Sequence, residues 1–178
     1  MIRLMGERLS VTELDSPIGR LRLAASEHGI VRLGLPLGGE HGFSGWLREH
    51  LADSVEVPTL PSLEQAAVEI DEYFEGRRKE FGVPLDLRGT AFQLEVWRAL
   101  CQIPFGQTCT YAWVGRAVGS PDAARAVGSA NASNPIPLLV PCHRVIAAGG
   151  KLGGYTGGLP VKRRLLALEG AIARENLL

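Results

Sequence analysis

The sequence predicts an α+β protein whose strands and helices are segregated into two successive parts. Three observations carry this. Short strand-like runs separated by turns crowd the first half, capped helical runs fill the second, and the charge divides at the same place. Residues 1–86 hold nine Lys/Arg against fifteen Asp/Glu, a net of −6, and residues 87–178 hold ten against four, a net of +6. The formal zero of the whole chain hides this asymmetry. A basic half suits a polyanionic partner; attraction between the halves is the other reading of the same pattern.

With 178 residues, 46% of them hydrophobic and 21% charged, the chain can bury a real core, and disorder is excluded as its main state. It has no run approaching the roughly 18 uncharged apolar residues of a membrane span. The opening MIRLMGERLS carries arginine and glutamate where a secretory signal has an apolar stretch. Three cysteines, an odd number without paired spacing, fit a reducing compartment. The expectation is a soluble, cytoplasmic protein with no membrane partner.

In chain order, residues 11–14, 21–25 and 30–35 read as strands, broken by turn chemistry at Ser16-Pro17-Ile18-Gly19 and His28-Gly29. Arg20, Arg22 and Ser26 alternate with Leu21, Leu23 and Ala25, the period of a half-buried strand. A short helix is expected around 43–51. Ser62 is the expected cap of a helix reaching Phe74, with Leu63, Ala66, Ala67, Ile70 and Phe74 on its buried face and Gly76 ending it. Residues 81–87 suggest a last strand, and the boundary between the parts falls near 86–89.

Thr90 then starts a buried helix carrying Phe92, Leu94, Val96, Trp97, Leu100 and Cys101, stopped by Pro104 and Gly106. Thr110 opens a helix over 111–118, closed by Gly119. Ser120 is expected to cap a third, with Pro121 and Asp122 in its first turn. Two short helices across a Gly-Ser turn form a helix-turn-helix pattern. Pro160 opens and Gly170 closes a final helix with Lys162, Arg163 and Arg164 near its start and Glu169 at its end. Both placements reverse the macrodipole preference. The basic cluster suits phosphates, and the misplaced carboxylate suggests a cationic partner, for which His143 is the candidate.

The chemistry concentrates in Asn134-Pro135-Ile136-Pro137-Leu138-Leu139-Val140-Pro141-Cys142-His143-Arg144. Three prolines within seven residues restrain the backbone and hold Cys142 in a defined place. A thiol followed by an imidazole and a guanidinium is expected to sit in an electropositive setting that favours the thiolate nucleophile. Cys101 and Cys109 lack basic neighbours. There is no metal-ligand spacing among the cysteines and histidines, so no metal or cofactor is expected. The glycine-rich run 149–158 around Tyr155 matches no nucleotide loop and suggests a backbone wall that a flat ligand can approach. The residues alone leave three readings open: group transfer from DNA, a DNA-binding module without chemistry, and a cysteine hydrolase.

Pro141-Cys142-His143-Arg144-Val145, with Asn134 upstream and Gly154-Tyr155-Thr156-Gly157-Gly158 and Glu169 downstream, closely resembles the O6-alkylguanine-DNA alkyltransferase family. The likeness is strong over residues 81–170 and looser around the 16–19 hairpin. It implies a ribonuclease H-like first domain, residues 1–86, serving as support. It implies a mostly helical, winged-helix-like second domain, residues 87–178, for DNA binding and alkyl transfer. The implied activity is direct-reversal repair: irreversible transfer of an alkyl group from O6-alkylguanine in double-stranded DNA to Cys142, once per molecule. The range of alkyl groups, alkylated thymine and cooperativity along DNA are left open, and a monomer is expected.

The resemblance also implies roles. Cys142 accepts the alkyl group, His143 relays its proton through a water, and Glu169 orients and charges His143. Asn134 is the hinge before the active-site segment, and Tyr111 helps protonate the departing guanine. Val145, Tyr155, Thr156 and Gly157 line the base pocket, with Thr156 on the substrate oxygen. Arg125 enters the base stack, and Ser120, Ala123, Ala124, Ala126 and Gly128 lie against the minor groove, where small side chains permit close approach. Some members hold zinc through N-terminal cysteines; no cysteine precedes Cys101, so no zinc is expected. A non-enzymatic sister group carries tryptophan at the position of Cys142.

Overall fold

The computed structural model describes residues 6–173. The first five residues of the charged opening stretch lie outside the described part. The architecture is α+β, and the chain divides into two compact units, one ending at Leu87 and the other beginning at Arg88.

In the first unit β1 (Arg8–Leu14), β2 (Leu21–Ser26) and β3 (Gly29–Gly34) form an antiparallel meander. After helix α1 (Gly39–His50), β4 (Val55–Glu56) adds parallel to β1, giving the order β3-β2-β1-β4. The β1–β2 connection turns where Ser16 and Gly19 predict it, with the Gly19 amide donating to the Ser16 carbonyl at 2.9 Å. The expected alternation of β2 ends at Leu23: Ala24, Ala25 and Ser26 are all buried. The reason is that both faces of the sheet are covered. Leu9, Ala24 and Val31 pack with Phe43 and Leu51 of the α1 region, and α2 (Pro61–Phe74) lies across β1, β2 and β3. A bulge beside Ala24 leaves Val31 without a ladder partner and adds it to that cluster.

Two expectations fail here. Ser62 does not cap α2: the helix starts at Pro61, whose ring is preorganised for a first helical position, and Leu60 occupies the cap without a side-chain bond. The buried face runs through Leu63, Ala66, Glu69, Ile70 and Tyr73, leaving Ala67 and Phe74 only half-buried. Nor do residues 81–87 form a strand. They touch β3 through a single bridge, Ile30 with Leu85. Pro84 has no amide to give a ladder, and the amides of Gly82 and Val83 donate to the buried Glu69 carboxylate at 2.8 and 3.2 Å. Gly29 is required beside this segment, since a Cβ there would lie 2.4 Å from the Pro84 carbonyl oxygen.

The second unit is helical. Thr90 caps α3 (Ala91–Leu100) in a reciprocal box with Gln93, as the sequence predicts. Cys101 lies past its end and is exposed, contrary to its expected place in a buried helix. Strand β5 (Cys109–Thr110) leads into α4 (Tyr111–Ala117), capped by the Thr110 hydroxyl, and α5 (Ala124–Ala132) follows. The Trp97 indole donates to the Ala130 carbonyl at 2.8 Å, locking α3 to α5. Ser120 caps nothing. Its amide bonds back to the Gly115 carbonyl at 2.8 Å, so Gly119 and Ser120 close α4, and α5 begins only at Ala124 with Ala123 as an unbonded cap. Strand β6 (Val145–Ile146) pairs parallel with β5, and α6 (Leu159–Leu168) ends the unit. Among the described residues no helix is long and apolar enough to cross a membrane.

Candidate active site and nucleic-acid face

Asn134 organises the proline-rich segment. Its Nδ2 donates to the Val140 carbonyl at 2.9 Å and its Oδ1 accepts the Ile136 amide at 3.0 Å, so one buried side chain bridges both sides of the loop. Within that loop buried Leu138 is held at φ 78°, a costly conformation for a branched residue. Pro141 then introduces a short 3-10 turn, Cys142–Arg144, that presents three buried side chains in succession.

Those side chains converge on the end of α6. His143 Nε2 donates to Glu169 Oε1 at 2.8 Å. Arg144 clasps the same carboxylate with Nε and Nη2, both at 2.9 Å, and its Nη1 donates to the Ile103 carbonyl at 2.6 Å. The Gly106 amide adds a bond to Glu169 Oε2 at 3.3 Å. Burial pushes the Glu169 carboxyl up, but hydrogen bonds and charge from His143 and Arg144 outweigh it and hold the group at about 2. An ionised Glu169 fixes the proton of His143 on Nε2, leaving Nδ1 as an acceptor; it is buried without a protein partner among the described residues. Burial, with the charges of Arg144 and Lys162, keeps the imidazole pKa below its ordinary value despite Glu169, so His143 is neutral at rest.

The expected thiolate is not found. Burial pushes the Cys142 thiol up to about 11, although Asn134, Lys162 and nearby backbone amides pull the other way. The sulfur rests protonated because it is buried, and the Arg144 guanidinium, two residues on in sequence, points at Glu169.

Lys162 also departs from expectation. It faces no phosphate: it is completely buried, and its Nζ donates to the carbonyls of Val145, Leu152 and Gly154 at 2.6, 2.5 and 3.2 Å. One ammonium therefore ties β6 to the glycine-rich run. Burial lowers its pKa to about 8. The sequence signal was present, a cation in the first half of a helix, but its partners are buried carbonyls. Arg163 is half-buried and Arg164 exposed.

The glycine-rich run does form a wall. Tyr111, Gly128, Asn131, Ala132, Gly154, Tyr155 and Thr156 line a pocket of about 410 Å³. Bare backbone at Gly153 lets Tyr111 pack close, since a Cβ there would lie 3.2 Å from the phenol oxygen. Tyr111, Tyr155 and Thr156 thus meet as expected. Val145 and Gly157 are buried and lie outside that lining, and Asn131 was missed. The Thr156 hydroxyl donates to the Ala132 carbonyl at 3.1 Å, so it is engaged with α5 instead of standing free for a substrate oxygen. On α5, Arg125, Ala124 and Ala126 are exposed and Ala123 is half-exposed. A Cβ on Gly128 would meet nothing within 4 Å, so its smallness answers no need inside the protein. Among the described residues no cluster of His, Cys, Asp and Glu could hold a metal.

Comparison with known proteins supports one family along nearly the whole chain. Residues 11–87 match the ribonuclease-like domain of 6-O-methylguanine DNA methyltransferase, and residues 91–171 match its DNA binding domain. A methylated-DNA–protein-cysteine methyltransferase of Mycobacterium leprae is 47% identical over 159 residues, covering 88% of this chain and 89% of that protein. The inducible protein of that name from Bacillus subtilis is 49% identical over 124 residues, 70% of this chain and 69% of its own. The crystal structure of Mycobacterium tuberculosis OGT in complex with DNA superimposes with a TM-score of 0.77 at 43% identity, covering 96% of this chain and 98% of the other. The O6-methylguanine-DNA methyltransferase of the hyperthermophilic archaeon Pyrococcus kodakaraensis does so at 0.63 and 27%, covering 91% and 99%. The chain belongs to the 6-O-methylguanine DNA methyltransferase family.

Proposed function

We propose that this protein repairs alkylated guanine in double-stranded DNA in the cytoplasm, moving the alkyl group from guanine O6 to Cys142 irreversibly. The observation that carries this reading is the buried chain of Cys142, His143 and Glu169 within one unit that also holds a flat-walled pocket and an exposed Arg125 on α5. A non-catalytic lesion binder has no use for a nucleophile backed by a tautomer-fixed histidine.

The steps follow from residue types. The duplex hides the alkylated oxygen, so the nucleotide leaves the stack, at a cost smallest for a badly paired lesion. The small residues Ala123, Ala124, Ala126 and Gly128 let α5 approach the minor groove, and Arg125 fills the space left by the base. The thiol proton passes through a water to His143 Nδ1 as sulfur attacks the alkyl carbon in line. The sulfur–carbon bond forms and the carbon–oxygen bond breaks, its electron pair staying on guanine. Ionised Glu169 stabilises the imidazolium. Burial keeps the Tyr111 hydroxyl protonated, so it can give a proton to the leaving base; the imidazolium of His143 then releases its proton to solvent and the Tyr111 phenolate takes one up, so that the net transfer is one proton from sulfur to guanine. Among the described residues no group is placed to cleave the thioether left on Cys142, and each molecule acts once.

The test is intact-mass and peptide analysis after incubation with an oligonucleotide containing O6-methylguanine. One methyl on the Cys142 peptide, none in Cys142→Ala, and product equal to protein are expected. Repeated turnover, or methylation persisting in Cys142→Ala, overturns the reading.

A further inference from the structure

We infer that Arg144 is a positioning residue for alkyl transfer, holding Glu169 so that the carboxylate aims His143 without charging it. Both side chains use one oxygen: His143 Nε2 donates to Glu169 Oε1 at 2.8 Å and Arg144 Nη2 donates to it at 2.9 Å. Arg144 Nε completes the two-point clasp on Oε2 at 2.9 Å. Nη1 is anchored apart from these, on the Ile103 carbonyl at 2.6 Å, and the guanidinium carbon lies 5.9 Å from the centre of the Phe105 ring. Pinned from the end of α6 and from the loop after α3, and only 6% exposed, the guanidinium is held away from Cys142 and on Glu169.

The balance of buried charge says what this clasp does. A buried cluster avoids net charge. Glu169 and His143 alone reach neutrality as carboxylate and imidazolium, and an imidazole already protonated cannot receive the proton of Cys142. With Arg144 in place a permanent cation balances the carboxylate, and the uncharged arrangement is ionised Glu169, charged Arg144 and neutral His143. Burial lowers the His143 pKa; Glu169 opposes this, and the charges of Arg144 and then Lys162 lower it further. Cys142 is adjacent in the chain, and the Tyr155 ring centre lies 6.4 Å from that of His143, edge to face. Lys162 does not replace Arg144, because its ammonium is committed to the carbonyls of Val145, Leu152 and Gly154. The guanidinium therefore acts on the base and not on the sulfur. This inference rests on His143 serving as the base for Cys142, as proposed above.

Arg144→Gln removes the cation, and Arg144→Lys keeps it without the two-point clasp. Single-turnover methylation of Cys142 on saturating duplex containing O6-methylguanine is measured at about pH 5.5 and about pH 7.5, where an imidazole titrates and Lys162, at about 8, stays charged. Relative to the natural chain, Arg144→Gln is expected to lose about tenfold more rate at the acid end than at the other, the scale of a one-unit displacement of a titration. Its His143 is by then already protonated. Arg144→Lys is expected to be slower without that change in ratio, and a merely structural role lowers both rates equally. NMR follows the His143 imidazole directly, assigned by its absence in His143→Gln: it is expected to titrate below the ordinary 6.5 in the natural chain and higher in Arg144→Gln. A ratio unmoved in Arg144→Gln, or moved equally in Arg144→Lys, overturns the inference while leaving alkyl transfer intact. If Arg144→Gln does not fold, the natural chain decides: a His143 midpoint at or above 6.5 overturns the inference and one below it supports it. Absence of methyl on Cys142 of the natural chain at both pH values overturns the reading of the site, while the imidazole titration still tests Arg144.

Discussion

Among the described residues each unit buries one glutamate to the same extent, and the two do different work. Glu69, on α2, and Glu169, at the end of α6, are both 5% exposed. Glu69 accepts the amides of Gly82 and Val83 and the Gln65 side chain at 2.8 Å, with Arg78 at 3.7 Å. It fastens a proline-containing segment beside the sheet. Glu169 instead accepts from Arg144 and from His143, whose tautomer it sets. Burial of a carboxylate is thus no sign of function by itself; the titratability of its partners is.

The contrast gives the largest expected effect. Glu169→Gln keeps the shape, removes the charge that stabilises the imidazolium, and is expected to slow methyl transfer about 100-fold or more, the scale of lost general acid–base assistance. Glu69→Gln is expected to leave that rate within about twofold while costing about 1–3 kcal/mol of stability through weakened bonds to buried amides. Single-turnover kinetics and thermal melting of both variants check this; equal rate losses would erase the distinction. Acid sharpens it. The Glu169 carboxyl is depressed from 4.5 to about 2, so its stabilisation is fully present above 4.5 and fades as pH falls through that interval. The melting difference between the natural chain and Glu169→Gln is expected to shrink over the same window.

Arg125 provides the next effect. It is exposed on α5, so alanine there is expected to leave folding unchanged and to slow repair of duplex substrate about tenfold, while reaction with free alkylated guanine is unaffected, since no stack needs filling. Equal losses on both substrates would remove Arg125 from the extrahelical step.

What the sequence disclosed divides along physical lines. Thr90 and Thr110 act within three residues of themselves, and both caps were legible. Ser62 and Ser120 have the right chemistry in the wrong competition: Pro61 starts one helix, and the turn that closes α4 claims Ser120. The 81–87 segment was misread because its amides answer to a carboxylate more than ten residues away. At the site, the pairing of Glu169 with His143 was legible from a carboxylate misplaced at a helix end. The charge state of the sulfur was not, because adjacency says nothing about where Arg144 points or how deeply Cys142 is buried. Lys162 shows the same limit: its odd helix position was visible, its three carbonyl partners were not.

The smallest effect concerns the hydroxyl that ties the two pocket walls together. Thr156 donates to the Ala132 carbonyl, so the glycine-rich run and α5 are held by a bond that neither helix nor strand would supply. Thr156→Val removes the bond at nearly constant volume. Because the residue is exposed, water replaces much of the interaction, and a change of about 0.5–1.5 kcal/mol is the ceiling. Lys162 still anchors the run at Leu152 and Gly154, which limits any displacement. The expected outcome is a two- to fivefold slower reaction, on the order of that energy, equal for free alkylated guanine and duplex. This separates Thr156 from Arg125, whose replacement is expected to slow the duplex reaction alone. A valine variant that loses activity on both substrates to the extent of Glu169→Gln would instead place the hydroxyl on the reacting oxygen and make the bond to Ala132 incidental.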